Sequence, residues 1–238
     1  LQPKPIKMKK VYLTFGVFIL FGLSVFAQNN SSESNSAQKR SWGIGLSAGA
    51  GGALIIGDFS NYYTNTALFV TNLDLRFSRL HVSGFYHLGG GKLQNELTYK
   101  ETTWPAGNKY RMDNAGISLG LAIIEREKIR IIPNVSLSYS EFESKNIHAG
   151  DDLLGMRTGY TYGFGITTDV KMGNLLKGEA SAKKKLEHYL RFGINAYIPS
   201  VTTAYWRDMN STHAYEPFFT GWLLNFSVSY GGLFQHYR

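Results

Sequence analysis

Trp42-Gly43-Ile44-Gly45-Leu46-Ser47-Ala48-Gly49-Ala50-Gly51 decides the fold. Large apolar side chains alternate with glycine or serine at a period of two, the period of a β-strand whose successive side chains face opposite sides of a sheet. The small face carries no volume where a soluble core would need it. That is a sheet turned inside out, with its greasy side towards lipid.

Seven further segments follow the same rule. Near 69–77, Thr71, Leu73, Leu75 and Phe77 oppose Asn72, Asp74 and Arg76. Leu80, Val82, Gly84, Tyr86 and Leu88 oppose His81, Ser83, Phe85 and His87; Ala115, Ile117, Leu119, Leu121 and Ile123 oppose Gly116, Ser118, Gly120 and Ala122. The segment from Ile129 to Tyr139 sets Ile131, Val135 and Leu137 against Arg130, Asn134, Ser136 and Ser138. Tyr160, Tyr162, Phe164, Ile166, Val170 and Met172 oppose Thr161, Gly163, Gly165, Thr167, Asp169 and Lys171. Leu190, Phe192, Ile194, Ala196 and Ile198 face away from Tyr189, Arg191, Gly193, Asn195 and Tyr197. Last, Trp222, Leu224, Phe226, Val228 and Tyr230 oppose Gly221, Asn225, Ser227 and Ser229. Each segment is about ten residues, the length a tilted strand needs to cross hydrocarbon.

Connection lengths orient the sheet. Ser78-Arg79 and the stretch 125–128 are short, whereas 89–113 and 200–216 are long. Alternating long and short links place the long loops outside the cell and both termini in the periplasm. The stretch 173–187 departs from this rule. It carries Lys177, Lys183, Lys184 and Lys185 with Glu179 and Glu187, and is expected to be a solvated excursion. Lipid offers a free strand edge no hydrogen bonds, so the sheet must close. The expected fold is an all-β, eight-stranded antiparallel up-and-down transmembrane β-barrel, with a lumen filled by side chains rather than water.

The beginning of the chain supplies an address. Residues 1–7 are expected to lie upstream of the translated start at Met8. Lys9-Lys10, the apolar run 11–26 and Val25-Phe26-Ala27 form a signal peptide over 8–27 with cleavage after Ala27. Residues 28–41 form a polar, disordered leader, and 42–238 the barrel. Lys4, Lys7, Lys9 and Lys10 leave with the exported segment, so the formal charge of +8 drops to +4 and a nucleic-acid partner loses its support. No cysteine is present, which excludes disulfides, thiolate metal sites and lipid attachment at a cysteine.

The chain resembles the small outer-membrane barrels of Bacteroidota, similar in architecture to the OmpX-type and OmpA-type barrels. Phe26-Ala27-Gln28, Gly43-Ile44-Gly45-Leu46, Leu190-Arg191-Phe192-Gly193-Ile194-Asn195 and the aromatic-rich terminus carry the likeness. The family's final-strand assembly signal is matched by Ser229, Gly231 and Phe234, while His236 stands where its last aromatic belongs and Tyr237 follows. The resemblance implies the barrel assembly machinery, outer-membrane lipid and lipopolysaccharide as partners.

Chemistry-bearing residues are few. Asp74, Arg76, Arg130, Asp169, Lys171 and Arg191 all fall on the inward face near the periplasmic end. Buried charges are costly unless paired, so they are expected to form an ion-pair network that closes the lumen. A gate or proton path is the alternative use. His81, Ser83 and His87 share one inner face, but Ser83 lies about 7 Å along the strand from His81, and no acid is evident beside it; catalysis is not expected. His148-Ala149-Gly150-Asp151-Asp152 is expected to be a solvated loop rather than a cation site. Trp42, Tyr160, Tyr162, Trp222 and Tyr230 are expected in aromatic girdles. No cofactor and no metal are expected. The function expected is that of a non-enzymatic scaffold acting through its loops in adhesion, partner binding or envelope integrity, with an unidentified extracellular or periplasmic protein partner. A lipid-modifying barrel enzyme, a narrow gated pore and a soluble lipocalin-type barrel are the competing readings.

Overall fold

A period-two pattern commits each apolar face to one side of a sheet, and eight such strands build the molecule. A computed structural model describes residues 41–99, 102–145, 153–158, 160–174, 184–199, 202–207, 214–217 and 221–237. The signal peptide, residues 28–40 of the leader, the cation-loop candidate at 148–152, and Lys177, Glu179 and Lys183 lie outside the described residues, while Ser41, expected to end the leader, already opens the first strand.

The barrel strands are β1 (Ser41–Gly57), β2 (Thr66–Phe77), β3 (Leu80–Lys92), β4 (Lys109–Leu121), β5 (Ile129–Lys145), β6 (Thr161–Asn174), β7 (Lys184–Pro199) and β8 (Gly221–Tyr237). Each pairs antiparallel with its sequence neighbour. β8 then pairs with β1 along its whole length, from Ser41↔Tyr237 to Gly57↔Gly221, so the sheet closes. Closure satisfies every ladder hydrogen bond that lipid could not.

The exterior is apolar. Leu46 is 66% exposed and Ile117 62%, and Phe69, Phe164, Ile166 and Ile194 are likewise open to the surroundings. Ala196 has the outward parity but is buried, because its short side chain sits between its register partners Phe164 and Leu224. The five aromatics expected in girdles, Trp42, Tyr160, Tyr162, Trp222 and Tyr230, are all exposed. His236 on β8 lies beside Trp42, ring centroids 6.0 Å apart.

The strands run longer than about ten residues, reaching 17 in β1, β5 and β8. The excess rises above the apolar band. There β5 divides its pairing: residues 129–138 bond β6, whereas 141–145 bond a strand at Leu153–Thr158. That strand pairs with Thr202–Arg207, which pairs with Ala214–Pro217. The loops between β5 and β6 and between β7 and β8 thus extend the barrel wall as a sheet. At the other end β7 begins at Lys184, so the last four residues of the expected excursion are strand and Glu187 belongs to the wall.

Inward parity admits residues that could not coexist with a Cβ. A Cβ on Gly116 would stand 2.7 Å from the Phe85 ring and 2.5 Å from the Leu137 carbonyl oxygen. Glycine at this place lets the ring of its register partner Phe85 lie across the neighbouring strand.

Candidate functional site: an occluded lumen

The lumen has three layers. At the periplasmic end the inward charges meet. Arg191 on β7 grips Asp169 on β6 through Nε at 2.7 Å and Nη2 at 3.1 Å, and reaches Asp74 on β2 through Nη1 at 2.7 Å. Arg130 on β5 binds Asp169 at 3.2 Å and Glu187 at 2.6 Å. Arg76 on β2 binds Glu125 at 2.6 Å, and Lys171 on β6 binds it at 2.7 Å. Arg130 also contacts Glu125, at 3.1 Å, and Lys185 contacts Glu187, also at 3.1 Å. All six residues singled out in the sequence therefore belong to one connected cluster.

Two members had not been assigned to it. Glu125, in the turn between β4 and β5, folds under the barrel because Ile124–Glu125 pairs with Ile131 and Arg130. Glu187 is 1% exposed and lies on the lumenal parity of Tyr189 and Arg191. Four cations (Arg76, Arg130, Lys171, Arg191) face four carboxylates (Asp74, Glu125, Asp169, Glu187), so the layer is neutral before Lys185 at its rim. Bidentate arginine geometry and shared carboxylates offset the desolvation that isolated buried charges would suffer. Burial alone would raise the Glu125 carboxyl, but the charges of Arg130 and Arg76 and the Lys171 hydrogen bond outweigh it and hold its pKa down to about 2.

Above the charges lies a narrow polar chamber of about 50 Å³, bounded by residues such as Asn72, His87, Asn134, Asn195 and Ser227. It continues into a space of about 20 Å³ beside His81. These volumes suit a few waters and no lipid chain. Ser83 donates to Asp74, its register partner across the β2–β3 hairpin. An acid does stand beside Ser83, contrary to the sequence expectation, and it occupies the serine hydroxyl itself. His81 makes no hydrogen bond through either ring nitrogen among the described residues. His87 instead stacks on Phe85, centroids 5.0 Å apart. The geometry supplies no imidazole-to-serine relay.

The extracellular end is closed by an apolar cap. A 3-10 turn at Asp58–Asn61 drops Phe59 into the barrel mouth, entered through Gly57 at φ 84°, a conformation that favours glycine. Phe59 meets Phe142 at 5.7 Å between centroids, and Tyr63 meets Tyr110 edge-on at 4.9 Å. The small hairpin of Leu97–Tyr99 with Thr102–Trp104 buries Leu97 and Trp104 in the same cluster. Ala53, Ile55 and Leu223 supply the wall beneath. Each buried aromatic contributes about 2 kcal/mol of apolar burial. The cap is therefore a hydrophobic core built inside the barrel mouth.

A closed barrel with an apolar exterior and a filled interior defines the class: this is a small bacterial outer-membrane β-barrel. No protein-family model and no curated protein matches the chain. Among solved structures it is similar to Neisserial surface protein A, at 11% identity and TM-score 0.40, covering 83% of this chain and 97% of that one. It is similar also to a major outer membrane protein of Thermus thermophilus, at 9% identity and TM-score 0.44, covering 82% and 99%. A third is the attachment invasion locus protein Ail of Yersinia pestis, at 11% identity and TM-score 0.42, again covering 82% and 99%.

Proposed function

We propose that this chain is a non-enzymatic surface scaffold, with a sealed lumen and its work carried by the extracellular loops in adhesion, partner binding or envelope integrity. The supporting observation is double occlusion: a neutral ion-pair layer lies below and an aromatic cap above. A lumen closed twice serves rigidity, and rigidity suits a platform that presents the sheet continuing from β5 through Leu153–Thr158 to Ala214–Pro217. Loops carried on a rigid scaffold are where binding residues concentrate.

The test has two arms. Protein reconstituted with phospholipid and lipid A should release no fatty acid, and sustained release would contradict the non-enzymatic reading. Replacing 153–158 and 202–217 by short turns should leave a heat-modifiable barrel in the outer membrane. Cells carrying it should lose surface attachment or become detergent-sensitive, and unchanged cells would overturn the assignment of function to the loops.

A further inference from the structure

We propose that the outer wall at the extracellular end of β3 and β4 holds the phosphates of lipid A through Lys92 and Lys109. These two lysines are direct register partners, and both are exposed on the outward face. Like charges placed directly opposite in a sheet destabilise it. An anion bridging them reverses that term. Their backbones are fixed: the Lys92 N–H donates to Thr64 Oγ1 at 3.0 Å, and the Lys109 carbonyl accepts from Ser144 Oγ at 3.1 Å. The register Tyr110↔Ser144 brings the backbone of Lys145, the next residue, to the level of Lys109.

The rows below are mixed in charge. Arg111 is paired with Glu143 in register, while Asp113 stands opposite Glu141, whose other register partner is Arg157. Arg111 also binds Asp113, Nε to Oδ2 at 2.8 Å, while Tyr86 donates to Asp113. Asp113 is thus held by Arg111 and Tyr86, Glu143 lies in register with Arg111 and Glu141 with Arg157, and the lysine row stands above them. At the corresponding end β1 shows Leu54, β2 Phe69, β6 Tyr162, β7 Ile198 and β8 Trp222 outward, so the cations gather on β3, β4 and the end of β5 at Lys145.

Height selects the ligand. From Leu80 to Lys92 the strand climbs about 40 Å, or about 30 Å of barrel height at a tilt of roughly 40°. The apolar band of such barrels is about 25 Å tall. Lys92 and Lys109 therefore sit just above hydrocarbon, at the level of the outer-leaflet headgroups. The anion native to that level is the phosphorylated glycolipid headgroup.

Detergent-solubilised full-length protein, titrated with bisphosphorylated lipid A and followed by native mass spectrometry, tests this. Wild type should bind lipid A, and Lys92→Gln/Lys109→Gln should bind at least about fivefold more weakly while keeping its heat-modifiable gel shift. Dephosphorylated lipid A should bind wild type no better than it binds the double variant. Equal lipid A binding by wild type and variant would overturn the site, as would equal binding of phosphorylated and dephosphorylated lipid. Should the double variant not fold, Lys109→Gln alone takes its place, for which a smaller loss is expected and unchanged binding would overturn the site. Heparin bound more tightly than lipid A, in a manner dependent on the two lysines, would assign the row to a soluble polyanion instead.

Discussion

Arg191 on β7 reaches Asp74 on β2 at 2.7 Å, an ion pair across the lumen between residues 117 apart in sequence. The same guanidinium holds Asp169 and lies over the Tyr189 ring at 4.8 Å. One side chain thus ties three strands. Arg191→Ala leaves Asp74 and Asp169 buried with fewer partners and should cost about 3–5 kcal/mol. Urea unfolding in detergent should show the lowered midpoint, and an unchanged midpoint would mean that the network does not brace the barrel.

Glu125 makes the network acid-sensitive. Its carboxyl is held down to about 2 in the fold, below the ordinary value of 4.5. A depressed carboxyl contributes stability above its unfolded pKa and loses it as pH falls through the folded one. Wild type should therefore lose stability as pH falls from about 4.5 to 2. Glu125→Gln should be less stable at neutral pH and flatter across that window; thermal unfolding followed by circular dichroism at stepped pH compares the slopes, and parallel curves would contradict the assignment.

Glycine matters by face. Gly116 points inward, where an added Cβ would meet Phe85 and Ser138, whereas Gly84 has nothing within 4 Å. Gly116→Val should be destabilised by about 1–3 kcal/mol or more, as overpacked cores are. Gly84→Val should fold like wild type. Gel-shift refolding yields distinguish the two, and equal yields would argue against a tightly filled lumen.

The cap should open locally. Phe59 is fully buried between β1 and the mouth. Phe59→Ala should remove about 3–5 kcal/mol of packing, and faster hydrogen exchange should be confined to 58–65 and 93–108. Exchange that spreads through β6 and β7 instead would show that the cap is not a separate layer.

The wall was legible in the sequence because period two survives any register. The ion-pair members on strand parity were legible for the same reason. Ser83 and Asp74 were within reach as well. A two-residue turn at Ser78-Arg79 pairs Phe77 with Leu80, and counting back from there pairs Asp74 with Ser83. Glu187 shares the parity of Tyr189 and Arg191, but the lysines around it resemble a solvated turn. Glu125 enters the lumen only because its turn folds back on β5, which no local pattern announces. The apolar cap was hidden differently: Ala53 and Ile55 place apolar side chains on the small face, so the glycine-serine alternation ends at Gly51 while the strand continues to Gly57. Phe59, Tyr63 and Trp104 lie in loops, whose burial depends on a mouth that exists only after closure.

The central claim is a sealed lumen. Planar-bilayer recordings of the purified wild-type barrel test it most directly. A flat baseline with no stepwise conductance is expected, and a steady open-channel current through the wild-type protein would contradict a closed lumen.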